Sequence, residues 1–214
     1  FELRMDLSKY IGPFRFSRLI LLTAVVYAIA GWVSFHIAIS PGYASIIFPA
    51  AGIAVGVMLV SRAKLWPGII LGSLALNLWI GSRILPALSF WTIGLIAIGI
   101  AAGSGLQAYC SYGLVKRLLN SPLRISTEKD VAIFVFFAVP LGCSIGPLVG
   151  TSVLTIMDML PASQFLEHAF MWWLGDSLGG LVFAPLTLMA FFRDSELWKK
   201  RRISSRGCAS STAR

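Results

Sequence analysis

The chain has 214 residues, of which 57% are hydrophobic and only 13% charged, with a net charge of +9 and a mean hydropathy of +0.81. A soluble domain of this size cannot hide so much apolar surface, because its exterior would have to be built from it too. The basic residues cluster at the ends of apolar runs instead of forming a stripe, which excludes nucleic acid as the expected partner and points to the lipid bilayer.

Several apolar runs exceed the roughly 18 residues that mark a membrane span. The short alternating segments of a transmembrane β-barrel do not occur. The expected fold is therefore all-α, a polytopic transmembrane helix bundle. Cys110, Cys143 and Cys208 lie in two apolar runs and a basic tail and imply no disulfide framework. The first apolar run is too long for a removable signal peptide and lacks a cleavage-site pattern.

In chain order, residues 1–16 read as a basic juxtamembrane segment, residues 17–192 as an integral membrane domain, and residues 193–214 as a basic cytoplasmic tail with the composition of disordered chain. Six helices are predicted, over about 18–39, 43–61, 65–81, 87–115, 130–156 and 165–192. Ser40-Pro41-Gly42 marks a turn, Pro67 sits in the first turn of the third helix, and Ser126 or Thr127 is placed to cap the fifth. Pro140 and Pro147 predict a kink or break inside that fifth helix.

Seventeen of the 18 Lys and Arg residues fall before the first helix, between the second and third, between the fourth and fifth, or after the sixth. Arg83 alone falls on the other side. The positive-inside rule then places both termini in the cytoplasm. Glycines four apart recur in five of the helices: Gly52/Gly56, Gly68/Gly72, Gly99/Gly103, Gly142/Gly146/Gly150 and Gly175/Gly179. Faces without side chains let helix backbones approach closely, so these positions are expected to carry packing. Trp32, Trp79, Trp91 and Trp172 near the outer ends, with Trp66 near the inner one, are expected in interfacial belts.

The motifs exclude the common enzyme chemistries. There is no Gly-rich phosphate loop, no His/Cys metal spacing and no His paired with an acidic residue on one helical face. His36 and His168 fall at interfacial positions, and Ser177 lacks the strand-turn-helix setting of a nucleophile elbow. No catalytic residue, metal or cofactor is expected.

Asp176 lies inside the apolar run of the sixth helix, which is otherwise broken only by Glu167 and His168 near its start. Counting about 1.5 Å per residue from the outer end puts it near mid-depth, where a carboxylate costs about 2.5 to 3.5 kcal/mol on insertion scales. The options are a protonated acid hydrogen-bonded to neighbouring helices, a cationic or proton ligand, or a partner such as Asn77 in the outer half of the third helix, with Arg83 able to reach inward. Gln107 counts to the inner half of the fourth helix and is the poorer candidate.

Two stretches carry a family resemblance. One is Phe48-Pro49-Ala50-Ala51-Gly52, followed by Leu65-Trp66-Pro67-Gly68 and Leu76-Asn77-Leu78. The other is Trp172-Trp173-Leu174-Gly175-Asp176-Ser177-Leu178-Gly179 with Ala184-Pro185-Leu186. In order and separation they resemble the first membrane-associated sensor (MASE) family over about residues 17–192. The resemblance implies a sensory input domain in the bacterial inner membrane, joined to a cytoplasmic output module of histidine kinase or diguanylate cyclase type or to a partner protein, in two-component or cyclic di-GMP signalling. It also implies about eight helices, two more than are read here.

Asp176, Asn77, Trp173, Trp172, Pro49 and Gly52 are the candidate ligand-binding or signalling residues, for a small molecule or a proton. A second copy of the chain is a further expected partner. The competing reading is a small transporter or substrate-binding membrane subunit. Three helices plus three, with interruptions over 48–56 and 175–185, favour it. The scarcity of polar residues at membrane depth opposes it.

Overall fold

The computed structural model describes residues 13–37, 47–119 and 127–192; the expected juxtamembrane segment, the Ser40-Pro41-Gly42 turn and the basic tail lie wholly or largely outside these. Among the described residues every regular element is helical. In order they are α1 (Pro13–Ile37), α2 (Pro49–Ser61), α3 (Trp66–Ile84), α4 (Phe90–Leu118), α5 (Glu128–Ile133), a π-helical segment (Phe134–Ala138), α6 (Val139–Gly142), α7 (Ile145–Ile156), a 3₁₀ turn (Ala162–Gln164) and α8 (Phe165–Phe192).

Five helical stretches are long and apolar enough to cross a bilayer: α1, α3, α4, the run from α5 through α7, and α8. This is a multi-pass membrane protein. The buried core is largely apolar, as in a soluble fold, but the exterior is apolar too and a few polar groups are buried. Leu21, Ile29, Trp91, Leu95, Phe136, Ile156, Leu166 and Leu186 are exposed, while Ser73, Gln107, Ser111, Thr151, Asp176 and Ser177 are buried. Lipid accepts that apolar surface, and the polar groups must find partners within the protein.

α2 departs from expectation. A helix over 43–61 would span the bilayer, but α2 begins only at Pro49 and has 13 residues, about 20 Å of rise, short of the hydrocarbon core. Ile47 and Phe48 are already non-helical. Pro49 fixes the start, since proline fits the first turn and restricts the residue before it. The N–H of Phe48 then leaves the helix altogether and donates to Gly175 O on α8, at 3.0 Å.

The fifth span is interrupted where the prolines predict. Thr127 and Asp130 form a reciprocal capping box that starts α5. Pro140 has no N–H to give to residue 136, and the turn before it widens so that the Val139 N–H reaches five residues back to Phe134 O. Pro147 lacks the N–H that Cys143 O would accept, and the helix opens at Cys143 and Ser144. α4 and α3 each run about three residues further than predicted at the C-terminal end, and α1 starts earlier, at Pro13. Helix ends fray and are poorly marked by composition alone.

Glycines set the closest approaches. A Cβ at Gly68 or Gly72 would meet the α1 carbonyls of Ile20 at 2.6 Å and Ala24 at 2.5 Å. At Gly99 and Gly103 it would meet Val153 and Val149 of α7. At Gly52 it would collide with Gly179 O, and at Gly179 with Phe48 O. α2 and α8 thus touch backbone to backbone, as expected where helix association relies on close packing and not on a hydrophobic drive.

Candidate functional site

Asp176 lies on the face of α8 that meets α4 and the broken span, and it is 3% exposed. Its Oδ2 accepts a 2.7 Å hydrogen bond from Gln107 Nε2, a length typical of a charge-assisted bond. Gln107 Oε1 in turn accepts the N–H of Gly146 at 2.8 Å. That N–H belongs to the first turn of α7, where a helix has donors without intrahelical partners. One amide therefore ties α8, α4 and α7 together.

The interruption also frees a carbonyl. The Ser144 N–H turns to Leu141 O at 3.4 Å instead of Pro140 O, and Pro140 O accepts from Trp173 Nε1 at 2.8 Å. Trp173 and Asp176, one turn apart on α8, thus satisfy the break at two points: Trp173 its acceptor directly, Asp176 its donor through Gln107. Cys143 adds a third tie, its Sγ lying 3.6 Å from Asp176 O.

The expected partners are elsewhere. Asn77 Nδ2 donates to Ser73 O at 2.8 Å and Ser73 Oγ at 3.3 Å, within its own helix, and Arg83 is exposed at the end of α3. Depth counted from helix ends misplaced Gln107, because α4 has 29 residues and its first turn, with Phe90 and Trp91 exposed, extends beyond the packed core. A signal for Gln107 was present: Ser104, Gln107 and Ser111 are spaced three and four apart, a polar stripe on one face of an apolar helix. The structure uses that stripe. Ser104 Oγ meets Ser73 Oγ at 3.0 Å, the Tyr27 hydroxyl of α1 faces both, and Ser111 packs against Gly142.

Trp172 packs against the broken span. Its ring lies over Gly150 of α7, where a Cβ would approach to 2.5 Å. Pro49 and Gly52 form the α2 end that rests on Gly179, and Gly142 and Gly146 admit Ser111 and Gln107. Gly175 offers its carbonyl to Phe48. His36 packs with Trp32 and Trp79 at ring separations of 4.3 and 6.0 Å, and its Nδ1 lies 2.9 Å from Trp32 O.

The model of the MASE1 family matches residues 18–213. The chain belongs to the MASE1 family. That is a family of membrane-associated sensory domains. No curated protein matches the chain, and no solved structure matches it.

In this MASE1 chain the opening of the first motif stretch, Phe48 to Gly52, contacts the second in space, more than a hundred residues away in sequence. Phe48-Pro49 and Gly52 of the first lie against Gly175 and Gly179 of the second. Trp173 and Asp176 of the second face the other way, onto the broken span.

The Trp173 bond gives a direct test. Trp173→Phe keeps most of the ring volume but strands the Pro140 carbonyl. It is expected to destabilise the domain by about 1–3 kcal/mol, read as a lower thermal midpoint in detergent. Trp91→Phe, at an 80% exposed position, should change little.

Proposed function

We propose that this chain is the sensory input domain of a bacterial signalling protein in the cytoplasmic membrane, and that α8 carries the signal to a cytoplasmic output module or partner of histidine kinase or diguanylate cyclase type. Both termini face the cytoplasm in this reading, which the distribution of Lys and Arg supports. The observation that carries it is the tie from Asp176 through Gln107 to the N–H of Gly146.

Packed helices shift between discrete arrangements, and an interrupted helix held by exchangeable side-chain bonds is a natural place for two of them. A stimulus that alters the charge or bonding of Asp176 changes how firmly α8 holds the break. α8 stays helical through Pro185 to Phe192, so movement at Asp176 is carried toward its cytoplasmic end. The stimulus moves this equilibrium only by its difference in affinity for the two arrangements.

The reading is tested by fusing the chain to a cytoplasmic diguanylate cyclase in a bacterial inner membrane and measuring cyclic di-GMP across growth conditions. Wild type should show a condition-dependent output. Asp176→Asn, which keeps the shape, should hold output at one constant level at unchanged membrane abundance. An unaltered response in Asp176→Asn contradicts the role given to this residue.

A further inference from the structure

Asp176 is only half satisfied. Oδ2 has Gln107, but Oδ1 is buried without a hydrogen-bond partner, and the Lys and Arg among the described residues lie at or near helix ends or in connections. The surrounding hydroxyls are unusual too. Thr23, Ser34, Ser104, Thr151, Ser152 and Thr187 each donate to a carbonyl four residues back, the ordinary solution for a hydroxyl in an apolar helix. Ser177, beside Asp176, and Ser111, one turn from Gln107, are 5% and 0% exposed, yet neither Oγ has a partner.

Two backbone carbonyls at the same break lose their usual helical donors. The Gly146 N–H, which would ordinarily serve Gly142 O, is turned to Gln107, and Pro147 offers none to Cys143 O. Gly142 and Cys143 form the C-terminal end of α6, where the helix dipole is negative. Cys143 lies against Asp176 and Gly180, and Gly142 against Ser111. A carboxylate oxygen, two hydroxyls and the carbonyl end of a broken helix are hard oxygen donors, the set that holds small cations at unwound helices in membranes.

We infer that the junction of Asp176, Ser177 and Ser111 with the α6 end binds an alkali-metal cation of about sodium's size. A single carboxylate in a low-dielectric interior is neutralised by one positive charge, whereas a divalent ion would leave an excess and an anion would be repelled. Space limits the occupant. A methyl group at Gly142 or Gly146 would already strike Ser111 Oγ or Gln107 Oε1, so the helices at this junction are closely packed. The inference rests on the sensory reading and names the ligand class of that same site.

The test is the thermal midpoint of the full chain in detergent, in sodium, lithium or potassium chloride against choline chloride, at constant ionic strength and pH. Sodium should raise the midpoint by about 3–5 °C for each tenfold rise in concentration above the dissociation constant. Asp176→Asn should abolish that shift. Ser177→Ala, which breaks no bond in the fold, should move it to higher sodium concentration.

Equal midpoints in all four salts overturn the inference, as does a sodium shift undiminished in Asp176→Asn. A midpoint that follows pH and ignores the cation also overturns it, because a proton then supplies the charge. None of these results touches the cyclase assay, so loss of cation binding with retained dependence of output on Asp176 removes this inference and leaves the sensory reading standing.

Discussion

Replacing Gly52 or Gly179 by alanine is expected to prevent accumulation of folded protein in the membrane. An added Cβ at Gly52 collides with Gly179 O, and one at Gly179 collides with Phe48 O; each obstacle is backbone, which cannot rotate aside as a side chain end can. Overpacking a core commonly costs about 1–3 kcal/mol, and here the helices would have to separate. Separation would also lengthen the 3.0 Å bond from Phe48 N–H to Gly175 O, leaving that N–H without a partner at membrane depth. Gly94 and Gly113 are the controls: nothing lies within 4 Å of a Cβ at either, so alanine there should be neutral or slightly stabilising through helix propensity. Membrane abundance and detergent-solubilised thermal midpoint read both. Equal behaviour at Gly94 and Gly179 would mean that α2 and α8 are not in backbone contact.

The second large effect is expected at Gln107. Gln107→Leu removes donor and acceptor together, stranding Asp176 Oδ2 and the Gly146 N–H, both buried. At about 1–3 kcal/mol for each orphaned group, the loss is roughly 2–6 kcal/mol, a large part of a typical stability margin. Adding Asp176→Leu should recover part of it, because an apolar pair no longer buries an unpaired carboxylate. The recovery, measured as a double-mutant cycle on thermal unfolding, should amount to about 0.5–3 kcal/mol. Strict additivity would place Gln107 and Asp176 out of contact.

How much of this was readable beforehand follows from what kind of information each feature needs. The spans were legible because bilayer thickness imposes long apolar runs, and the interruption of the fifth was legible because proline removes a donor wherever it sits. The sixth helix, expected over about 165–192, is α8, Phe165–Phe192. α2 was drawn too long, since its apolar run continues upstream of Pro49 and composition cannot show that Phe48 turns its N–H to Gly175.

The partner of Asp176 was missed for a geometric reason. Counting from helix ends assumes that the ends are level, and α4 against α8 breaks that assumption. The meaning of the motif stretches was hidden as well, because contact between Phe48-Pro49 and Gly175–Gly179 depends on how two helices pack and not on either sequence alone. Trp172 shows the same limit: its place near a helix end could not show that its ring packs over Gly150 of α7.

Whether α8 moves against the broken span during signalling can be measured with one engineered bond. A Cβ at Gly180 would lie 3.4 Å from Cys143 Sγ, with Val139 Cγ1 at 2.5 Å in the way. Gly180→Cys combined with Val139→Ala, in a chain whose Cys110 and Cys208 are serine, should therefore form a disulfide across the junction on oxidation in the cyclase fusion. With the crosslink formed, the account predicts constant cyclic di-GMP output under all conditions, and a restored response after reduction. A crosslinked domain that still responds like the reduced one would contradict it.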